Sequence, residues 1–431
     1  MASKEVSLLY YNGTDAAHFG NSRKEFPPIG LLYLASSLEA RGYSVALYDI
    51  QMMSPDHLKK ISNTVIGLSI NASYVVPYFV DIIEKLPKAR LIIGGGQHVS
   101  ASPRESIDQF RLDFAFIGES EHTLPDFLDN YLISNIGYEN IPGIAYIKNR
   151  EYKYTGLASR EKCLDDLPFP ARHLLPEQDI LLDKRIWGKD IKSVSMITSR
   201  GCVYNCNFCG NLYKSFYHRS AQNIENEIIH IEQQYPEAKG IVFLDENLLF
   251  CEDHILDLCN IMKNHNFLWT ANARVDYMNE TVGQAMYSSG CVEIKYGVES
   301  GSQRILNRMN KKITLRQVET ALKCSAEVGI YNKCFLLYGY PGDNMESSNE
   351  TIAFLQRNRR YINRVNLFDY TPLPTSRDYH TLLHKNSYQW GDFRIYRQHQ
   401  HWWGSDSEYE EMLKGYFNLK EYIDKNFTEE V

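Results

Sequence analysis

Three cysteines lie close together at the spacing C-x3-C-x2-C: Cys202, Cys206 and Cys209. They follow a short apolar run, 194–197, which predicts a buried strand. Three thiolates on one loop can bind three irons of a four-iron cluster, whereas such a cluster normally takes four cysteine ligands. The loop offers no fourth cysteine, so one iron would keep an open position for a small ligand.

A structural zinc site is the alternative interpretation of this loop. The three cysteines together with His218 would provide three sulfur ligands and one nitrogen ligand. Zinc fingers and ribbons usually pair two such cysteine knuckles, and this sequence contains one. The cluster is therefore the preferred interpretation, and the zinc site remains its alternative.

Composition narrows the class of protein. The 431 residues suit two or three domains, and a net charge of −7 argues against nucleic acid as the main partner. No apolar run approaches the length of a membrane span, and the first residues lack the apolar core of a signal peptide. The six other cysteines are scattered, which indicates free thiols. We therefore expect a cytoplasmic protein in a reducing compartment, without a membrane partner.

Residues 1–135 alternate short apolar runs with helical patterns, which predicts a parallel sheet with helices on both faces. The expected strands are 6–10, 45–49, 65–70, 91–94 and 114–117, and the expected helices are 30–41, 74–85 and 122–132. Ligands of such sheets bind at the carboxyl ends of the strands. Three loops lie there, at 67–69, 94–98 and 118–121. No G-x-G-x-x-G fingerprint accompanies them, so we expect no nicotinamide or flavin site.

Residues 136–190 are expected to connect this domain to a second one. They contain a probable hairpin, 144–149 and 152–154, and a proline-broken stretch, 165–175. Residues 191–375 then repeat six β/α units, which predicts a partial barrel. The expected strands are 194–197, 240–244, 268–273, 292–298, 332–338 and 364–370, and the expected helices are 223–234, 253–264, 279–289, 315–328 and 345–358. Thr314 and Gln317 predict a capping box.

The cysteine loop and its surroundings resemble the radical S-adenosylmethionine (SAM) enzymes. The segments 26–35 (FPPIGLLYLA), 94–98 (GGGQH) and 113–121 (DFAFIGESE) resemble the cobalamin-binding domains that precede the barrel in one branch of this family. The resemblance implies an α/β fold, with an N-terminal Rossmann-like parallel sheet of the cobalamin-binding type, a partial (β/α)6 radical SAM barrel and a short C-terminal segment. It also implies three cofactors: a four-iron four-sulfur cluster, SAM and cobalamin.

The resemblance implies roles for residues at the strand ends. Phe208 matches the aromatic position near the adenine of SAM, and Arg274 would bind the SAM carboxylate, with a surface ion pair as its alternative role. The remaining expected SAM residues are Asp245, Glu246, Glu299, Ser300, Gly342 and Tyr370. The expected cobalamin residues are Ser69, Gly94, Gly95, Gly96, Gln97, His98, Gly118 and Glu119. For His98 and Glu119, a structural role is an equal alternative.

One departure from the classical cobalamin proteins is the absence of a D-x-H-x-x-G motif. In this branch the departure implies cobalamin bound without a histidine ligand to cobalt. The alternative is a domain that has lost the cofactor.

The most common chemistry of the branch is methyl transfer to an unreactive carbon or phosphorus atom of a small metabolite or peptide. Alternatives are a radical rearrangement, cyclisation or ring contraction without methyl transfer, and a non-catalytic iron–sulfur or zinc protein. A flavodoxin- or ferredoxin-type protein is the expected electron donor. The tail, 376–431, is expected to shape the substrate side; it holds three tryptophans, Trp390, Trp402 and Trp403, with His399 and His401 close to them in sequence.

Overall fold

The computed structural model describes residues 4–12, 26–58, 60–61, 64–134, 137–186, 189–382 and 401–427. The chain forms two compact units, the first extending to Ile180 and the second beginning at Leu181. Within the described residues, no helix is both long enough and apolar enough to cross a membrane.

The first unit is built on a seven-stranded sheet in the order β2-β1-β3-β4-β5-β6-β7. Its strands are β1 Glu5–Tyr10, β2 Ser44–Asp49, β3 Val65–Ser69, β4 Leu91–Gly95, β5 Phe114–Phe116, β6 Ile144–Lys148 and β7 Glu151–Tyr154. The first five strands pair in parallel, as the alternating pattern predicts. Strands β1 and β3 are buried along almost their whole length, since helices cover both faces of the sheet.

The hairpin expected in the connector is present, but it belongs to this sheet. Strand β6 pairs antiparallel with β5, and β7 pairs with β6. The expected boundary at residue 135 is therefore too early. The physical reason is that the outer edge of β5 carries backbone donors and acceptors that a further strand can satisfy.

The helices of the first unit are α1 Ile29–Ala40, α2 Pro55–Leu58, α3 Val76–Ile83, α4 Gln97–Ala101, α5 Pro103–Phe110, α6 Thr123–Leu128 and α7 Glu177–Ile180. Helices α3 and α5 each have proline in the first turn, where its missing N–H costs nothing. Phe79 and Phe110 of these helices pack into one cluster with Ile66 and Leu68 of β3. That core fixes the strand ends at which the glycine loops begin.

The main sheet of the second unit has seven strands, in the order β16-β15-β14-β13-β12-β9-β8; β8 is antiparallel, and the other six are the expected parallel strands. Its strands are β8 Leu182–Ile186, β9 Lys189–Met196, β10 Ser199–Gly201, β11 Phe216–His218, β12 Gly240–Phe243, β13 Leu268–Ala273, β14 Cys291–Glu299, β15 Tyr331–Tyr338 and β16 Arg364–Asp369. The antiparallel edge strand β8 and the short ribbon of β10 and β11 were not expected. The six-unit partial barrel is confirmed.

The helices of the second unit are α8 Ala221–Gln234, α9 Glu252–Met262, α10 Glu280–Ser288, α11 Gln303–Arg308, α12 Leu315–Glu327, α13 Met345–Arg357, α14 Arg377–Leu382 and α15 Asp406–Phe427. The capping box of Thr314 and Gln317 at the start of α12 is present. Helix α11 was not expected.

The described part of the tail consists mainly of α15, which packs against α13 and β16 on the outside of the barrel. Its buried side chains include Met412, Tyr416 and Leu419. Just before it, Trp403 donates from its indole nitrogen to the carbonyl of Gly339, 2.7 Å away, at the carboxyl end of β15. Trp390 and His399 lie outside the described residues. The described part of the expected substrate-side segment thus contains mainly a packing helix, and its role at the substrate side stays a prediction.

Candidate cluster and cofactor sites

The cysteine loop leaves the barrel at the carboxyl end of β9. Strand β10, just before Cys202, pairs antiparallel with β11, so a short ribbon closes the loop at its base. Cys206 is buried, with 7% of its surface exposed. Cys202 and Cys209 are half-buried. The ribbon therefore presents the three thiols on a loop whose two ends are fixed.

Asp245, at the end of β12, anchors the entry to this loop. Its carboxylate accepts hydrogen bonds from the Thr198 backbone N–H at 3.1 Å, the Thr198 hydroxyl at 2.8 Å and the Ser199 hydroxyl at 2.5 Å. Only 1% of Asp245 is exposed, and burial raises its pKa above the ordinary value of an aspartate. The structure thus places this expected SAM residue beneath the loop, where it positions the backbone before the cysteines.

A turn between α11 and α12 supports the other side of the loop. The backbone N–H of Asn207 donates to the Met309 carbonyl at 2.9 Å, and its side-chain amide donates to the Arg308 carbonyl at 3.0 Å. The side-chain amide of Asn310 in turn donates to the Asn205 carbonyl at 2.6 Å. The residues on both sides of Cys206 are therefore held by this turn.

Arg274, at the end of β13, lies beside the thiols. Its Nε donates a hydrogen bond to the Asp276 carboxylate at 2.7 Å, and its Nη1 lies 4.0 Å from the Cys206 sulfur. The guanidinium carbon lies 3.5 Å from the centre of the Tyr204 ring. Burial raises the pKa of Cys206, and the positive charges of Lys311 and Arg274 oppose this. Arg274 is 6% exposed, so its pairing with Asp276 is a buried ion pair and not a surface one. Two cations next to the thiols favour the anionic form that binds iron.

Glu299, at the end of β14, is held in an unusual backbone conformation. Its φ of 67° lies in the left-handed region, which a glutamate rarely adopts. Its carboxylate accepts from the Lys311 ammonium at 2.6 Å, and that ammonium lies 5.7 Å from the centre of the Phe208 ring. Because such backbone strain concentrates at functional sites, Glu299 is well suited to a ligand-binding role.

The expected SAM residues thus divide into two groups. Phe208, Arg274 and Glu299 meet around the thiols, and Glu246 is close enough to influence the pKa of Cys202. The second group has other contacts. Ser300 is buried and accepts a hydrogen bond from the Ser302 N–H, and Gly342, at φ 95°, packs against Arg308. Tyr370 is buried, with its ring centre 4.9 Å from that of Tyr340. Within the described part of the chain, the hydrogen bonds and ring contacts of the second group do not reach the three cysteines.

Sequence reasoning missed Lys311 and Tyr204. Lys311 lies on the turn before α12, so a search of strand ends passes over it. A basic pair, Lys311-Lys312, in a segment without acidic residues was the signal that could have found it.

The side chains around the loop fit a cluster better than a single zinc ion. A zinc ion requires its ligands within about 2.3 Å, so that all of them converge. Within the described residues, no three His, Cys, Asp or Glu side chains converge in this way. The ring of His218 instead lies tilted against that of His254, with the ring centres 4.7 Å apart, and its Nδ1 lies 3.1 Å from the Arg219 carbonyl. A four-iron cluster, larger than one ion, takes its thiolates at separate corners.

The expected cobalamin residues line the carboxyl ends of β3, β4 and β5. Ser69, Gly95, Gly96 and Gly118 are half-buried there, so their backbone remains partly accessible. Gly96 has φ 102°, and a Cβ at this position would lie 2.6 Å from the Ile70 carbonyl. The N–H of Gly118 is bonded to the Ser100 hydroxyl at 3.0 Å. Gly94 is buried and Gln97 is exposed. This row of accessible backbone suits a broad, flat ligand.

His98 and Glu119 have evident structural roles. His98 is 2% exposed, its Nδ1 lies 3.1 Å from the Ser73 hydroxyl, and burial lowers its pKa to about 4. Glu119 forms an ion pair with Arg160 at 2.6 Å, and the Arg160 side chain is 6% exposed. Both side chains therefore brace the loops, and the loop backbones are left to contact a ligand.

Comparison with known proteins agrees with this division of the chain. The model of the Radical SAM superfamily matches residues 196–355, and that of the B12 binding domain matches residues 17–128. The chain thus carries a radical SAM domain and, before it, a B12-binding domain. Its cofactors are accordingly a four-iron four-sulfur cluster, SAM and cobalamin.

Curated relatives of this radical SAM enzyme include methyltransferases and a cyclase. It is 26% identical to an uncharacterized methyltransferase of Pyrococcus horikoshii, over 77% of this chain and 73% of that protein. It is 24% identical to the cytidylyl-2-hydroxyethylphosphonate methyltransferase of Streptomyces wedmorensis, over 73% and 69%. It is 22% identical to the anaerobic magnesium-protoporphyrin IX monomethyl ester cyclase of Rubrivivax gelatinosus, over 76% and 61%.

Solved structures show the same fold. The methyltransferase TsrM from Kitasatospora setae, with cobalamin and a four-iron cluster bound, matches with a TM-score of 0.70 and 16% identity, over 88% of this chain and 78% of that one. The cobalamin-dependent radical enzyme OxsB matches with a TM-score of 0.68 and 20% identity, over 98% of this chain and 56% of that one.

Proposed function

We propose that this radical SAM enzyme methylates an unactivated carbon or phosphorus atom of a small metabolite or peptide. The observation that carries the proposal is the pairing, in one chain, of a three-cysteine loop in a radical SAM barrel with a cobalamin-type sheet. The methyltransferases among its relatives support the same reaction type.

In this proposal, Cys202, Cys206 and Cys209 hold the cluster, and Glu299, Arg274 and Phe208 bind SAM beside it. Arg274 also keeps positive charge next to the Cys206 sulfur, 4.0 Å away. When bound, the cofactors supply a hydrogen-abstracting radical and a transferable methyl group. The protein's own contribution is to hold the reactants in place and to exclude water, which can account for a large part of a rate enhancement.

The cobalamin would rest on the strand ends of the first unit, against Ser69, Gly94–Gly96, Gln97 and Gly118. In this proposal His98 and Glu119 support those loops from behind. The His98 imidazole would then be turned away from a bound cobalamin, because its ring is buried against Ser73 and Phe110.

Methyl-deuterated SAM tests the reaction type. The cluster-loaded enzyme, supplied with cobalamin, a reductant and a metabolite extract as acceptor source, is expected to deliver all three deuterons of the methyl group to one product. A matched reaction with unlabelled SAM identifies that product by the mass difference. A new product that carries no deuterium would refute methyl transfer.

The cyclase relative supports a second candidate function, a radical cyclisation or rearrangement without methyl transfer. This candidate predicts consumption of one SAM for each turnover, whereas methyl transfer by the proposed route consumes two. Counting SAM consumed against product formed separates the two candidates.

A further inference from the structure

The segment from Gly301 to Val318 is unusually basic for this chain. It contains five lysines and arginines and no acidic residue, in a protein whose net charge is −7. Lys311 is buried against Glu299, whereas Arg304, Arg308, Lys312 and Arg316 are exposed. The segment therefore forms a positive surface on an otherwise acidic molecule.

The four exposed cations of this segment differ in their acidic neighbours. Arg304 lies 4.0 Å from Glu346, and Arg308 is near enough to Glu408 to lower the pKa of that carboxyl. Lys312 and Arg316, by contrast, form no ion pair with any described residue. Exposed cations without partners leave their full field available to an approaching molecule.

This basic segment is bonded directly to the cluster loop. Its turn at Arg308–Asn310 makes the three hydrogen bonds to Asn205 and Asn207 described above, and these residues flank Cys206. The turn is strained, because Asn310 and Lys312 have φ values of 54° and 58°. A short path of covalent and hydrogen bonds thus leads from the positive surface to a cluster ligand.

The outer side of the loop has the composition of a contact surface. Val203 is 44% exposed, like several other large apolar side chains of the described chain, and Asn205 is exposed two residues further along the loop. Arg274 and Lys311 lie on the inner side, around Cys206. An apolar centre with a charged rim is typical of protein interfaces, and interfaces for electron transfer are small.

We propose that Val203, Asn205, Lys312 and Arg316 form the docking surface for a small acidic one-electron carrier protein. The carrier is oxidised by one electron, and the cluster is reduced by the same electron. Complementary charge selects an acidic carrier and speeds its encounter with the loop. The inference rests on the electron-dependent chemistry of the proposed function.

The test compares a protein reductant with a chemical one in the cluster-loaded enzyme. Reduced flavodoxin, an acidic carrier, and dithionite each drive SAM cleavage, and 5'-deoxyadenosine is measured. The variant is Lys312→Glu/Arg316→Glu. Arg316→Glu alone is the safer second variant, because an acid in the first turn of α12 suits the helix dipole.

The control is Lys239→Glu/Lys263→Glu, with the same change in charge. Both lysines are exposed and lie near the amino ends of β12 and β13, at the end of the barrel opposite to the loop. We expect the docking variant to lose about tenfold or more in kcat/KM for flavodoxin at low salt. It should keep wild-type activity with dithionite, and the control should keep both activities. Near 1 M salt, where the Debye length is about 3 Å, the difference should vanish.

Wild-type kcat/KM for flavodoxin in the docking variant would overturn the inference. So would equal losses with both reductants, since the turn would then only support the loop. Flavodoxin binding to the cluster-loaded protein, measured by calorimetry in the same variants, is independent of turnover. An enzyme that binds flavodoxin through this surface but cleaves no SAM would retain the docking inference and refute the proposed function.

Discussion

The ion pair between Lys311 and Glu299 is expected to be the most sensitive charge pair of the cluster site. The two side chains are 7% and 14% exposed, and their charged atoms are 2.6 Å apart. Replacing Lys311 by Met leaves the Glu299 carboxylate buried without its partner. Breaking a buried pair from one side costs about 3–5 kcal/mol, and the slight exposure here favours the lower value.

A double-mutant cycle measures this cost in the demetallated protein. Lys311→Met and Glu299→Gln should each lower the free energy of unfolding by about 3 kcal/mol, and the double variant should lose clearly less than the sum. Urea unfolding followed by tryptophan fluorescence is suitable, because Trp269, Trp402 and Trp403 all lie in the second unit.

The matched control is the pair of Lys323 and Glu327. These residues are one helical turn apart on α12, 3.7 Å from each other, and about half exposed. The same substitutions there should change stability by about 0.5 kcal/mol or less. Losses of equal size at both pairs, or additive losses at Lys311 and Glu299, would refute the reasoning.

Three further predictions concern the cluster cysteines, Asp245 and His98. Replacing Cys202, Cys206 and Cys209 by Ala should abolish iron binding and reductive SAM cleavage, whereas Cys163→Ala and Cys251→Ala should retain both. Iron analysis after anaerobic reconstitution tests this prediction, and a triple variant that still binds iron would contradict it. Asp245→Ala, which removes the acceptor of three hydrogen bonds to Thr198 and Ser199, should reduce cluster occupancy, while the exposed Asp257→Ala should not. Burial lowers the pKa of His98 to about 4. Between pH 6.5 and 4 the unfolded chain therefore binds a proton at this histidine that the folded chain does not bind. The free energy of unfolding should fall by about 3 kcal/mol as the pH drops through that range. The variant His98→Gln should lose this pH dependence. If the unfolding of the first unit in this variant showed the same pH profile as in the wild type, the prediction would be contradicted.

The strands that the sequence predicted well are those whose apolar runs are short and bounded by turns. All five parallel strands of the first unit and all six of the barrel overlap the expected positions, although β9 begins at Lys189, five residues before its expected start. Strands β1, β3 and β12 are buried along nearly their whole length and form continuous apolar runs, whereas β14 and β15 alternate buried and half-buried residues. Strand β8 was missed because an edge strand needs no such run. Its pairing with β9 follows from backbone bonding, which the sequence does not display.

Helix α15 was missed for a different reason. Met412, Tyr416, Leu419 and Ile423 recur at helical spacing, but the tryptophans and histidines before them drew the interpretation toward a pocket. At the site, the strand ends place Arg274 and Glu299 beside the cysteine loop, and their roles in SAM binding stay predictions. Asp245 has the expected sequence position, yet its side chain turns to Thr198 and Ser199. Side-chain direction depends on tertiary packing that a motif does not specify.

The central claim is that one chain uses SAM in two ways, as the source of a radical and as the source of a methyl group. The most direct measurement counts 5'-deoxyadenosine and S-adenosylhomocysteine in the same anaerobic reaction, with and without added cobalamin. The account predicts that the reduced enzyme forms both products, and that S-adenosylhomocysteine appears only when cobalamin is supplied. Formation of 5'-deoxyadenosine alone, with cobalamin bound, would contradict it.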